Sequence, residues 1–150
     1  MVACMKRWTM AAALVGLWLG TSFVRGAGEG ALRASKPEVR KEITTVIEAQ
    51  CAAFRAGDLV QAYAFASAEL RAQKPLRAFA EIVRDNYPEI WANTRAEFGL
   101  VRDDGARAML VVRVFAKDSE ASYDFTLVKE RGGWRISAVL RHEAKKATKV

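Results

Sequence analysis

Residues 106–140 read ARAMLVVRVFAKDSEASYDFTLVKERGGWRISAVL, and in this stretch β-branched and aromatic side chains recur with period two. The breaks fall at Lys117-Asp118-Ser119-Glu120 and at Arg131-Gly132-Gly133, which predicts three antiparallel strands joined by tight turns. A loop of two or four residues centred on Asp118 and Ser119 sets Arg113 opposite Asp124 and Arg107 opposite Glu130, two opposite-charge pairs on one face. The other face is apolar. It collects Leu110, Val112 and Val114 against Tyr123, Phe125 and Leu127, and a Gly132-Gly133 turn adds Trp134, Ile136, Ala138 and Leu140. A slip of one residue would turn this whole set outward, so the register is strongly specified.

Working upstream, Thr94 to Val101 reads as a fourth strand, ended by Asp103-Asp104-Gly105. A two-residue Asp-Gly turn would put Phe98 and Leu100 on the charged face; a three-residue loop with Gly105 in the left-handed region puts them beside Leu110 and Ala108, and this second arrangement is the expected one. The charged face also carries Met109, Val111, Phe115, Val128 and Val139, more apolar surface than a solvated sheet face needs. Those five residues are the expected contact face of a homodimer.

Ser35 to Tyr87 reads as helical in three pieces. Ser35-Lys36-Pro37-Glu38 predicts a capping-box start with proline in the first turn. Val39, Ile43, Val46, Ile47, Gln50 and Phe54 then share one face at helical spacing until Gly57 stops the run. Asp58 starts a second helix with Leu59, Ala62, Tyr63, Ala66 and Leu70 on its apolar side. Lys74-Pro75 interrupts, and Leu76, Phe79, Ile82, Val83 and Tyr87 form the stripe of a third helix that Pro88 ends. Ile90 and Trp91 lead into the sheet.

The first residues read as an address. Lys6 and Arg7 precede an uncharged apolar run from Trp8 to Leu19, followed by small residues through Gly30, the three-part pattern of a secretory signal peptide and too short for a comfortable membrane span of ~20 residues. Residues 1–26 are therefore expected to be the signal peptide, 27–35 a linker, 36–141 the folded domain and 142–150 a basic tail. The destination is periplasmic or secreted, with no stable membrane anchor after cleavage. Cutting after Ser22 or after Gly26 both suit the small-residue rule, and MKRW at Met5 makes a more typical opening than Met1.

Export changes the charge argument. The chain of 150 residues carries a formal +7, which falls to +4 without the three cations of residues 1–26, and to +1 once residues 141–150 are set aside. The basic character thus belongs to the ends, and the body, with acids interleaved among its Arg and Lys, gives no nucleic-acid footprint. Cys51 is the sole cysteine beyond the signal segment, so the fold stands without a disulfide. With no His or Lys adjacent to it, Cys51 reads as a buried helix residue rather than a reactive thiol.

Helices followed by an antiparallel meander give an α+β order: three N-terminal helices packed on a curved sheet of about four strands. The residues Gln50, Phe54, Gly57-Asp58, Ala62, Phe65-Ala66-Ser67, Phe79 and Tyr87-Pro88, followed by Trp134-Arg135-Ile136, resemble the bacterial family called domain of unknown function 4864. That family is similar to the nuclear transport factor 2-like superfamily, so the resemblance implies a cone of bent sheet capped by helices. It departs from the superfamily pattern in lacking a convincing early strand pair between the second and third helices.

The superfamily includes ketosteroid isomerase and scytalone dehydratase beside many non-catalytic binding domains, and fold does not decide among them. An isomerase-like site needs a carboxylate base in an apolar cavity with Tyr or protonated acid donors at the oxyanion. Asp58 reads as a helix cap, Asp124 as the partner of Arg113, Asp103 and Asp104 as turn formers, and His142 has no metal-ligand partner. No phosphate loop, nucleophile elbow or HExxH motif is present. The expectation is a small exported binding or accessory domain with a cone-shaped apolar pocket, needing no cofactor and no metal. A cone-type isomerase or dehydratase acting on a small apolar substrate is the alternative. Gln50 falls in the buried stripe of the first helix and needs hydrogen-bond partners: a neighbouring backbone group or a Tyr63 or Tyr123 hydroxyl would satisfy it, or else Gln50, Tyr63, Tyr87 and Trp91 line a small-ligand pocket.

Overall fold

The computed structural model describes residues 30–142. The elements run β1 (Arg33–Ala34), α1 (Pro37–Arg55), α2 (Leu59–Ala64), α3 (Ala68–Gln73), α4 (Leu76–Asn86), α5 (Pro88–Trp91), β2 (Asn93–Phe98), β3 (Arg102–Asp103), β4 (Arg107–Ala116), β5 (Glu120–Glu130) and β6 (Gly133–Arg141). All strand pairs within the sheet are antiparallel, in the order β1-β3-β4-β5-β6, with β2 sharing β4's edge with β3. The chain is α+β, its helices packed on one face of an open sheet. Six strands replace the expected four because β2 ends at Phe98, a separate two-residue β3 follows beyond the expected Val101 end, and Arg33–Ala34 adds a short edge. Within the stretch expected to be a linker, Arg33–Ala34 therefore pair with the sheet.

The β4–β5 hairpin keeps the expected faces but moves its register by two residues. Ala116 N donates to Ser119 O, so the turn is Lys117-Asp118, Arg113 stands opposite Ser122 and Arg107 opposite Val128. Neither expected charge pair forms; Arg113 reaches diagonally to Glu120 at 2.8 Å, and Glu130 accepts instead from Ala68 N at 2.9 Å. A two-residue shift preserves parity, which is why Leu110, Val112, Val114, Tyr123, Phe125 and Leu127 are all buried on one face as expected.

Three register breaks change parity, the first within β2 between Asn93 and Arg95. Between β2 and β3 the register against β4 shifts by one residue, so Phe98 packs on the core, Leu100 is 59% exposed and Val101 takes the buried place. Gly99 sits at this break with its N–H donating to Val111 O at 2.8 Å, where an added Cβ would lie 2.9 Å from that same carbonyl oxygen. Gly105 adopts φ 89° in the loop that follows, the left-handed conformation expected of it. In β6, Leu127 pairs Ile136 but Thr126 pairs Ala138, making Ser137 the extra residue. Trp134 and Ile136 are buried, Val139 turns inward opposite Phe125, and Ala138 and Leu140 are exposed rather than on the apolar face. The β5–β6 turn itself is Arg131-Gly132, with Gly133 at φ 115° opening β6.

Helix α1 buries Ile43, Ile47, Gln50 and Phe54 of the stripe its periodicity predicts, with Val39 and Val46 half-buried, and adds Cys51 and Ala53. The capping box does not form: Lys36 is the N-cap without a side-chain bond, and the Ser35 hydroxyl donates to Asp103 while Ser35 N donates to Val101 O. The sheet edge claims Ser35 before the helix can. Asp58 caps α2 as expected, accepting from Gln61 N at 3.0 Å. The second helix divides because Phe65 O and Ser67 N both bond to Ile136 of β6, pulling residues 65–67 out of helical geometry; Ser67 then caps α3. Pro88 ends α4 and opens α5, its missing N–H being harmless in a first turn. Among the described residues no helix is long and apolar enough to cross a membrane.

Candidate functional site

A cavity of about 290 Å³ opens between α1, α4 and the bulged part of β6. Phe54, Phe79, Val83 and Ile136 form its apolar wall, and Phe54 and Phe79 stack with ring centres 6.2 Å apart. Gln50 is its buried polar group. One Nε2 hydrogen of Gln50 is donated to Ala62 O at 3.1 Å, tying α1 to α2, and among the described residues its amide makes no other hydrogen bond. Tyr87 also lines the cavity, its hydroxyl donating to Val139 O at 2.8 Å and its ring 5.7 Å from that of Tyr123. Ser137, displaced by the bulge, lines it too and donates to Thr126 O.

Of the four residues expected to form a pocket, the structure brings together Gln50 and Tyr87. Tyr63 lies outside, its hydroxyl 2.7 Å from Lys74 O and 2.9 Å from Arg71 O, where it satisfies carbonyls at the end of α3. Trp91 stands on the far side of Phe54, ring centres 6.0 Å apart, in a separate shallow groove with Arg55 and Leu59. The amide of Gln50 uses the backbone rather than either tyrosine. The bulge at Ser137 supplies the remaining wall, and period-two reasoning carries no sign of a bulge.

Glu89 went unnoticed in the sequence because a lone acid in a Pro-Glu-Ile-Trp turn looks like a helix-start residue. It is 5% exposed, accepting from the Tyr123 hydroxyl through Oε2 and from Arg141 through Oε1 at 3.1 Å. Burial pushes the carboxyl up. The Tyr123 hydroxyl, the residue's own backbone and the Arg141 guanidinium outweigh burial and hold it below the usual carboxylate range. Burial, then the Glu89 bond, push the Tyr123 phenol up, so this pair is an anion and a neutral donor at neutral pH. Glu89 does not line the cavity.

Asn93 is likewise buried and fully employed, donating to Cys51 O and Ile90 O and accepting from Arg55, which also pairs Glu48. Cys51 is buried, and burial followed by the charge of Glu48 pushes its thiol up to about 12, as suits an inert core residue. Asp124 pairs His142 at 2.8 Å instead of Arg113. On the outer sheet face Met109 is 38% exposed, Val111 and Val128 are half-buried, and Phe115 is covered by Arg95, 3.7 Å above its ring centre; Val139 lies on the opposite, inner face. Among the described residues no cluster of His, Cys, Asp and Glu is placed to hold a metal ion. Residues 1–26, expected to be a signal peptide, and the residues beyond His142 lie outside the described residues.

A family model described as "Domain of unknown function (DUF4864)" matches residues 36–149. The chain belongs to that family. No curated protein and no solved structure matches it. The matched span of the DUF4864 domain holds every cavity residue named above, so the cavity is built within the family's own segment and not from an addition to it.

Proposed function

We propose that this DUF4864 domain is an exported binding or accessory domain that holds a compact, largely apolar ligand between α1, α4 and β6. The observation that carries the reading is a preformed apolar cavity of about 290 Å³, near the lower end of the ~300–1,000 Å³ typical of small-molecule sites, with a buried amide half-used on its wall. Helices over one face of an antiparallel sheet support a likeness to the nuclear transport factor 2-like cone, and that likeness is part of the proposal. Binding is favoured over isomerase or dehydratase chemistry by the lining itself. Such chemistry needs a carboxylate base facing the substrate. The lining holds none, and buried Glu89 lies elsewhere, committed to Tyr123 and Arg141.

Titration of the purified chain with the neutral apolar dye Nile red is expected to show saturable fluorescence enhancement. Ile82→Trp, which places an indole in the mouth from a half-buried position on α4, is expected to weaken it at least tenfold while the circular dichroism spectrum is kept. Gln50→Leu keeps the shape and costs about 1 kcal/mol through the orphaned Ala62 carbonyl. Dye binding unaffected by Ile82→Trp would place the ligand elsewhere and defeat the proposal.

Export is proposed on the Lys6-Arg7 and Trp8 to Leu19 pattern. The mature terminus is expected between Thr21 and Gly30 when the protein is recovered from a periplasmic or culture fraction and its N-terminus is sequenced. An intact Met1 or Met5 terminus in that fraction would count against it.

A further inference from the structure

We propose that the occupant of this cavity is an amphiphile with a single carboxylate, its tail against Phe54, Phe79 and Ile136 and its head at Lys74; the inference rests on the binding reading above. Lys74 is the one charged residue of the lining, and among the described residues no carboxylate pairs with it. Its backbone is held in place. Lys74 N donates to Leu70 O, its carbonyl lies 2.7 Å from the Tyr63 hydroxyl, and Pro75 follows, so the side chain departs from a fixed point at the end of α3. Lys74 is exposed, so its ammonium attracts an anion at the edge of the cavity with the modest strength of a solvent-screened pair.

Lys74 sets the orientation: the head lies at its end, and the tail runs inward past Gln50, whose amide gives one Nε2 hydrogen to Ala62 O and keeps a second N–H and its carbonyl oxygen. The charge count sets the class. One lysine is a single point charge, and the lining has no arginine to offer the forked donor pairs that phosphate and sulfate recognition favours, so a monoanionic carboxylate fits better than a phosphate ester. Size follows from volume: about 290 Å³ stands at the lower end of small-molecule sites, which suits a short chain.

The test compares decanoate with decanol, equal in chain and different in charge, by calorimetric titration of the purified chain and of Lys74→Met, which keeps the stem length. Decanoate is expected to bind the wild type, to weaken about fivefold in Lys74→Met, the upper range for an ion pair at an exposed mouth, and to weaken in the wild type as salt is raised. Decanol is expected to change less than twofold on either account. Lys74→Glu is expected to abolish decanoate binding and spare decanol. Equal effects of Lys74→Met on both probes, or decanol or Nile red binding without decanoate, would overturn the carboxylate proposal while leaving the cavity reading standing. Binding of none of the three would overturn both.

Discussion

Truncating Trp134 to alanine is expected to cost about 3–5 kcal/mol of unfolding free energy, the usual range for deleting a large core aromatic. Trp134 is 3% exposed at the start of β6, on the face covered by α1. Lys129 lies 5.3 Å above its ring centre and reaches across to Glu42 of α1 at 3.1 Å, so the indole sits beneath a bridge between sheet and helix. Its Nε1 is buried with no hydrogen-bond partner among the described residues. An unmet buried donor costs about 1–3 kcal/mol, so Trp134→Phe, which removes it, is expected to lose much less than Trp134→Ala. Urea denaturation checks both. A loss below about 1 kcal/mol for the alanine variant would show that the ring contributes little to the core.

Tyr123→Phe is expected to cost about 1.5–3 kcal/mol at neutral pH, since it strips a hydrogen bond from a buried ionised carboxylate and leaves Arg141 as its main partner. The loss should depend on pH in a defined direction. Glu89 is held below its ordinary range in the folded chain, so on acidification the unfolded chain takes up this proton first. The stability that Glu89 contributes is therefore fully present above about pH 4.3, the unfolded value, and is lost as pH falls through the lower folded value. Other lowered acids, such as Asp85, titrate in the same region. The difference between the wild type and Glu89→Gln in denaturation series from pH 7 to pH 2 isolates the residue: it should shrink as pH falls. A pH-independent difference would mean that Glu89 is neutral in the folded protein.

What could be read from the residues, and what could not, follows from parity. The apolar faces of β4 and β5 were legible because a two-residue error in the turn leaves every side chain on its own side. The assignments of Leu100, Ala138, Val139 and Leu140 failed because single-residue bulges at Gly99 and Ser137 reverse sides without interrupting the run of strand-forming residues. Helix α1 was legible from its stripe, and the Asp58 cap from its position, whereas Ser35 lost its capping role to a long-range partner, Asp103. The same distinction governs the site. Gln50 lies on the apolar stripe of α1, and Tyr87 at the C-cap of α4 where the apolar spacing of that helix ends, while Ser137 and Glu89 depend on a bulge and on a tertiary bond to Tyr123 that local sequence does not encode.

The short strand β1 bears on how the domain assembles in time. The β4–β5 and β5–β6 pairs join segments adjacent in the chain, and such local closures form quickly. The clasp of Arg33–Ala34 onto β3 instead joins positions some seventy residues apart, with Ser35 and Asp103 separated by 68, and it rests on two residue pairs, the Ser35 hydroxyl and the Ser35 amide. Loop-closure entropy makes such a contact costly to form before the hairpins exist, and so few bonds hold it weakly afterwards. The N-terminal edge is thus the last part of the sheet to dock and the first to open, so Ser35, whose amide donates to Val101 O, should exchange its amide hydrogen long before the amides of β5 do.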